Sequence, residues 1–209
     1  MEQELRDRWT SIAGTGRTAE QALAGLLSRY REPHRSYHGL AHLVRVLRTV
    51  DDLVPAVEVD DADALRFAAW FHDAVYDPRA STNEAASAHL AIEVLTELGQ
   101  PADRATRTAA LVEATAGHVP TNPDEAVLID ADLAVLGADP ATYEAYARGV
   151  RKEYVHVDDE AWRDGRAAVL QGFLDRPAIF HTAPMLAFEP RARANLAAEL
   201  AGLRAPGAG

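Results

Sequence analysis

The stretch Tyr37-His38-Gly39-Leu40-Ala41-His42-Leu43-Val44-Arg45-Val46 decides how the chain is read. Two imidazoles four residues apart sit in an apolar run, and on a helix that spacing stacks them on one face. Further on, Ala68-Ala69-Trp70-Phe71-His72-Asp73 sets a vicinal His-Asp behind small and aromatic residues. Asp132 then falls between Leu128-Ile129 and Val135-Leu136, at the three- and four-residue spacing that turns its carboxylate toward the apolar side of a helix. Imidazoles and carboxylates in such surroundings are costly unless a cation or an ion partner compensates them. Each position alone has an ordinary reading: a packed or surface histidine, or an aspartate paired with an arginine. Jointly, His42, His72, Asp73 and Asp132 make a nitrogen-and-oxygen ligand set for one divalent metal ion.

Composition narrows the possibilities. The chain has 209 residues and 48% hydrophobic content, enough for one sizeable core. Cysteine is absent, which removes disulfides, thiolate metal sites and cysteine nucleophiles together. A formal charge of -11 argues against a general grip on a large nucleic acid, since such binding neutralises many phosphates with a basic surface. A small phosphorylated molecule stays compatible, because one metal and a local cation can offset its charge. No run is apolar enough for a membrane span, and Met1-Glu2-Gln3-Glu4-Leu5-Arg6-Asp7-Arg8-Trp9 lacks the apolar core of a secretory signal. The expected location is the cytoplasm.

Apolar residues recur at helical spacing almost throughout, so the fold class expected is all-α, a compact multi-helix bundle with the metal site between helices. Helices are predicted over about 3-13, 18-31, 38-53, 61-73, 82-98, 102-117, 125-137, 140-155, 158-175 and 190-203, with boundaries supported by Pro33, Pro55, Gly99-Gln100-Pro101, Pro120, Pro123, Gly137 and Pro140. One domain over 1-204 is expected, followed by a loose tail at 205-209.

The order His42, His72-Asp73, Asp132 resembles the HD superfamily of metal-dependent phosphohydrolases, named for its His-Asp pair. The runs Phe71-His72-Asp73-Ala74-Val75-Tyr76-Asp77, Asn83-Glu84-Ala85-Ala86-Ser87, Thr115-Ala116-Gly117-His118 and Asp130-Ala131-Asp132-Leu133-Ala134-Val135-Leu136-Gly137 are similar to a compact bacterial group within it, across most of residues 30 to 182. The resemblance implies an HD-domain bundle, a divalent metal (manganese, magnesium, iron, cobalt, nickel or zinc) and hydrolysis of a small phosphorylated substrate such as a nucleotide.

His38 matches the first histidine of the Tyr-His-Asn-x-x-His segment of the cyclic-nucleotide phosphodiesterases, with Gly39 in place of Asn. That likeness implies a general acid; the alternative is a structural histidine. Asp77 carries over from the Glu-Asp pair of the alarmone hydrolases, Tyr76 replacing the Glu, against an alternative role in the turn before Pro78. Glu84 could hold a metal-bound water or orient His72. His118 and Asp130 are candidates to support the ligands or hold a second metal. Arg151, Lys152 and Arg166 are the candidate phosphate binders, since the arginine fork matches phosphate geometry, against the alternative of ordinary surface pairs. His89, His156 and His181 have no such context. A metal-dependent nucleotide or metabolite sensor that keeps the ligands without turnover is the rival reading. Intact His38, Asp77 and Glu84 favour catalysis, since a sensor needs no proton-transfer groups.

Overall fold

The computed structural model describes residues 1–205. Ten α-helices run in order α1 (Glu2–Ala13), α2 (Arg17–Arg29), α3 (Leu40–Leu53), α4 (Ala62–Phe71), α5 (Asn83–Glu97), α6 (Ala102–Ala114), α7 (Pro123–Leu133), α8 (Pro140–Glu153), α9 (Asp159–Leu174) and α10 (Glu189–Arg204). Helix makes up 71% of the structure, with no strand among the described residues, so the all-α class holds. None of the described helices is long and apolar enough to cross a membrane. Of the tail expected at 205-209, only Ala205 lies within the described residues.

Helix starts follow a common chemistry. Asn122, Asp139 and Asp158 each accept a backbone N–H of the first turn, from Glu125, Thr142 and Ala161 respectively. In α7 and α8 the cap is followed by a proline whose missing N–H costs nothing at that position. Pro123 therefore opens α7, two residues ahead of the predicted start at 125. Asp61 caps α4 by accepting from Asp63 and Ala64, and Arg104 of α6 bonds its other oxygen. Gly99, with φ of +70°, supplies the left-handed turn that ends α5.

α4 is the axle of the fold. Ala64, Leu65, Phe67, Ala68, Ala69, Trp70 and Phe71 are all buried, so from Phe67 onward the helix is enclosed on every side, while Asp63 and Arg66 keep its first half in reach of solvent. α3, α5, α6 and α7 pack around it. Trp9 of α1 meets Phe67 and Trp70 edge-on at centroid distances of 5.9 and 5.2 Å and donates its indole N–H to Ala19 O. Each such buried aromatic or large aliphatic side chain contributes roughly 1.5–3 kcal/mol. The result is a rigid helix whose C-terminal end delivers His72.

Two predicted helices end short of their histidines. α3 begins at Leu40, so His38 lies with Tyr37 in the turn before it, not in the first turn of the helix as the interval 38-53 had it. The reason is the extended backbone of Gly39 (φ −112°, ψ −164°) and a carboxylate, Glu153, that takes the free N–H groups of Tyr37 and His38 at 2.7 and 2.9 Å. α4 stops at Phe71 instead of 73; Ala74 N–H closes a tight turn onto Phe71 O. The segment predicted as one helix over 125-137 is α7 followed by a 3₁₀ turn over Ala134–Gly137.

Candidate metal centre

Three elements converge on one buried point. His42, in the first turn of α3, is 1% exposed, and His72, at the C-terminus of α4, is 2% exposed. His72 Nδ1 lies 2.9 Å from Ala69 O, so that nitrogen donates its N–H and Nε2 points inward, where it would offer a lone pair once the ring is neutral. The two Nε2 atoms stand 3.0 Å apart, and Asp73 Oδ2 is 3.3 Å from His42 and 3.2 Å from His72. Asp132 of α7 brings Oδ1 to 3.2 Å from His42 Nε2 and 3.8 Å from His72 Nε2.

These spacings fit a cation. Ligands at about 2.1 Å from one ion, in tetrahedral or octahedral arrangement, lie about 3.0–3.4 Å from one another. Asp73 Oδ2 is buried and makes no hydrogen bond of good geometry despite two imidazoles at that range, as a ligand oxygen aimed at a common centre would be. His42, His72 and Asp73 thus form a group that could hold a metal ion, with donor atoms all within 4.8 Å of one another.

The electrostatics of the group are those of opposite charges crowded in a dry space. Burial pulls the His72 imidazole down, but Asp73 and then Asp132 outweigh it and raise its pKa to about 9. Burial pushes both carboxyls up, yet the imidazoles hold Asp73 and Asp132 well below the ordinary carboxylate range.

Partners around this group were not evident from sequence. Glu153 at the end of α8 is 4% exposed; besides the two backbone N–H groups it takes His38 Nδ1 at 2.6 Å and the Tyr76 hydroxyl at 2.9 Å. It pins the His38 ring, whose centroid is 5.7 Å from that of His42. Burial lowers the His38 imidazole, and Asp73 together with Glu153 more than reverses this. Gly149 makes the contact possible, since a Cβ there would sit 3.1 Å from Tyr37 Cβ and 3.2 Å from Ser36 O. Arg35 is the second missed residue. Its guanidinium donates to His38 O at 3.0 Å, Asp73 O at 2.6 Å and Ala74 O at 3.2 Å, tying the turn before α3 to the turn after α4.

The other candidates divide. His118 joins the centre: its Nε2 is 3.0 Å from Asp132 Oδ2, on a backbone with φ of +48°, the one positive φ at a non-glycine among the described residues. Arg176 takes the carbonyls of Gly117 and His118 and so braces this strained turn. Asp130 does not join. It is fully buried and accepts from His181 N, Thr182 N and Thr182 Oγ1, a structural role that a second metal ligand could not share.

Asp77 is exposed and closes the turn before Pro78 by accepting Arg79 N–H at 2.9 Å, which places it in its structural alternative. Glu84 is half-buried in the first turn of α5, and no hydrogen bond or ion pair engages its carboxylate among the described residues. Arg151 is spent on Tyr154 O, Val157 O and Asp159, and lies over the Trp162 ring. Arg166 is buried in a two-bond pair with Glu199. Those internal acceptors leave neither guanidinium fork open for a phosphate, which corrects the expectation for both. Lys152 is exposed and lines a separate cavity beside Asp77 and His156.

Compared with protein-family models, curated proteins and solved structures, the chain matches none. Function is therefore read from the residues of the site.

Proposed function

We propose that this chain is a metal-dependent phosphohydrolase of the HD type, acting on a phosphoester or phosphoanhydride of a small molecule, with nucleotides the first class to test. The observation that carries the reading is the convergence of His42 Nε2, His72 Nε2 and Asp73 Oδ2, with Asp132 beside them, next to a histidine that is not part of the ligand set and is held by its own carboxylate.

A divalent cation held by His42, His72, Asp73 and Asp132 would supply activation of water and a grip on a phosphoryl oxygen. The protein's own groups do the rest. With Nδ1 committed to Glu153, His38 has Nε2 left to deliver a proton to the departing oxygen. Glu153 fixes the ring and its tautomer, and Tyr76 fixes Glu153. His118 holds Asp132 Oδ2, so that Oδ1 is the oxygen facing His42. Arg35 keeps the turn that carries His38 in register with the turn that carries Asp73.

The test is elemental analysis of the purified protein together with phosphate release from a panel of nucleotides, for the wild type and Asp73→Ala. Metal uptake and release of phosphate by the wild type, both lost in the variant, support the reading. Metal uptake with nucleotide binding but no turnover would replace the hydrolase with a sensor.

A further inference from the structure

One guanidinium close to the ligand group has no carboxylate to pair with. Arg45 follows His42 by three residues on α3, so the two side chains share a helix face. It is half-buried, its guanidinium lies over the Tyr37 ring at 5.4 Å, and no carboxylate of the described residues is within ion-pair distance of it. Its neighbour Arg48 differs: that side chain is neutralised by a two-bond pair with Glu4. Arg45 borders a cavity of about 210 Å³ whose wall also holds His42 and Asp132. A second cavity, of about 420 Å³, shares Tyr37, Arg45 and Thr142 with the first and continues past Ala41, Ala145 and Tyr146. Tyr37, over whose ring the Arg45 guanidinium lies, belongs to both walls, while its hydroxyl is sealed from the cavities and makes no hydrogen bond of good geometry.

An unpaired arginine in a partly enclosed space is an unmet demand for an anion, and its planar fork suits phosphate oxygens. We propose that Arg45 binds an anionic phosphate group of the substrate, whose remaining part extends along the Ala41, Ala145 and Tyr146 wall. This rests on the hydrolase reading for the word substrate alone; the anion site stands on the cavity and its unpaired charge. The substrate class is a small phosphate compound with an uncharged, part-apolar body.

The test is calorimetric titration of inorganic phosphate into manganese-loaded and chelator-treated protein, for the wild type, Arg45→Ala, Arg45→Lys and Arg151→Ala, with metal content and helicity measured on each. Expected are at least a tenfold loss of phosphate affinity in Arg45→Ala with metal content unchanged, a smaller loss in Arg45→Lys, which keeps the charge but not the fork, and wild-type binding in Arg151→Ala. Should Arg45→Ala fail to fold, Arg45→Lys carries the test through its own loss. The proposal is overturned if the wild type binds no phosphate in either form, or if Arg45→Lys and Arg45→Ala bind it as well as the wild type does. A wild type that takes up no metal would sink the hydrolase reading instead, while titration of the chelator-treated protein would still decide the role of Arg45.

Discussion

Asp130 and Asp132 lie two residues apart on α7, both in apolar sequence, and they end in opposite circumstances. The Asp130 carboxylate is met by N–H and O–H donors from His181 and Thr182, so it serves as a cap for the chain leading to α10. Burial still raises its pKa. The Asp132 carboxylate is met by imidazole nitrogens, which depress its pKa against the same burial. Burial of a charge therefore says only that something compensates it; the chemistry of the partners says what. Backbone donors satisfy a carboxylate fully and fix a fold, whereas ring nitrogens that can give up their proton leave it competent to share a cation.

Asp130→Ala is expected to have the largest effect on folding. It strips the buried N–H and hydroxyl of Thr182 and the part-buried N–H of His181 of their acceptor, a loss of roughly 3 kcal/mol at about 1–3 kcal/mol per bared buried group. Denaturant titration should record that loss while the folded fraction keeps its metal. Metal loss with unaltered stability would place Asp130 in the centre and erase the contrast with Asp132.

Asp132→Ala should act the other way. Removing a ligand should weaken metal binding by more than about 100-fold, beyond the 10- to 100-fold typical of outer partners. Competition against a chelator of known affinity measures it. Full occupancy in this variant would remove Asp132 from the ligand set. His38→Ala should keep the metal and slow turnover about 100-fold, with the deficit shrinking on substrates that carry a good leaving group. Glu153→Gln should follow in the same direction with a shifted pH profile, because it loosens the ring that Glu153 now pins.

The contrast also predicts a pH response. The His72 imidazole, raised from 6.5 to about 9, gives the metal-free protein stability that is fully present below pH 6.5 and is lost as pH rises through about 9. Asp73 and Asp132, lowered from 3.8, contribute stability present above that value and lost as pH falls through their folded values. Metal binding needs neutral imidazole, so its affinity should climb toward about pH 9 where the metal-free form weakens. Calorimetric scans between pH 6.5 and 9 should show the chelator-treated protein losing Tm and the manganese-loaded protein holding it. Parallel slopes would mean that His72 is not deprotonated on loading.

The candidate ligands were legible because each interrupts an apolar helical pattern, which is a local property of the sequence. The helices were legible from apolar residues at helical spacing, with Pro123 and Pro140 marking boundaries, whereas the capping roles of Asn122 and Asp139 emerge only in the structure. Glu153 was not, since its partner His38 is 115 residues away and a glutamate at the end of a helix has no distinctive context. Arg35 was hidden differently: most of its acceptors are backbone carbonyls, which no side-chain motif encodes. The turn at His38 was read as helix because a four-residue spacing fits either form. Gly39 was the only local hint, and what fixes the turn is the distant Glu153 carboxylate.

The smallest effect concerns the guanidiniums that sequence favoured for phosphate. Arg151 bonds Tyr154 O and Val157 O just past the end of α8, where a cation also suits the helix dipole, and its pair with Asp159 is exposed on the acid's side. Such a contact contributes about 1 kcal/mol or less, so Arg151→Ala should lower stability by that order and leave the Michaelis constant for a phosphorylated substrate within about twofold of the wild type. Steady-state kinetics beside Arg45→Ala makes the comparison internal, because both changes delete the same charge. A Michaelis constant raised severalfold by Arg151→Ala, with Arg45→Ala unchanged, would move the anion site to the end of α8 and show that the acceptors now holding Arg151 release it when substrate arrives.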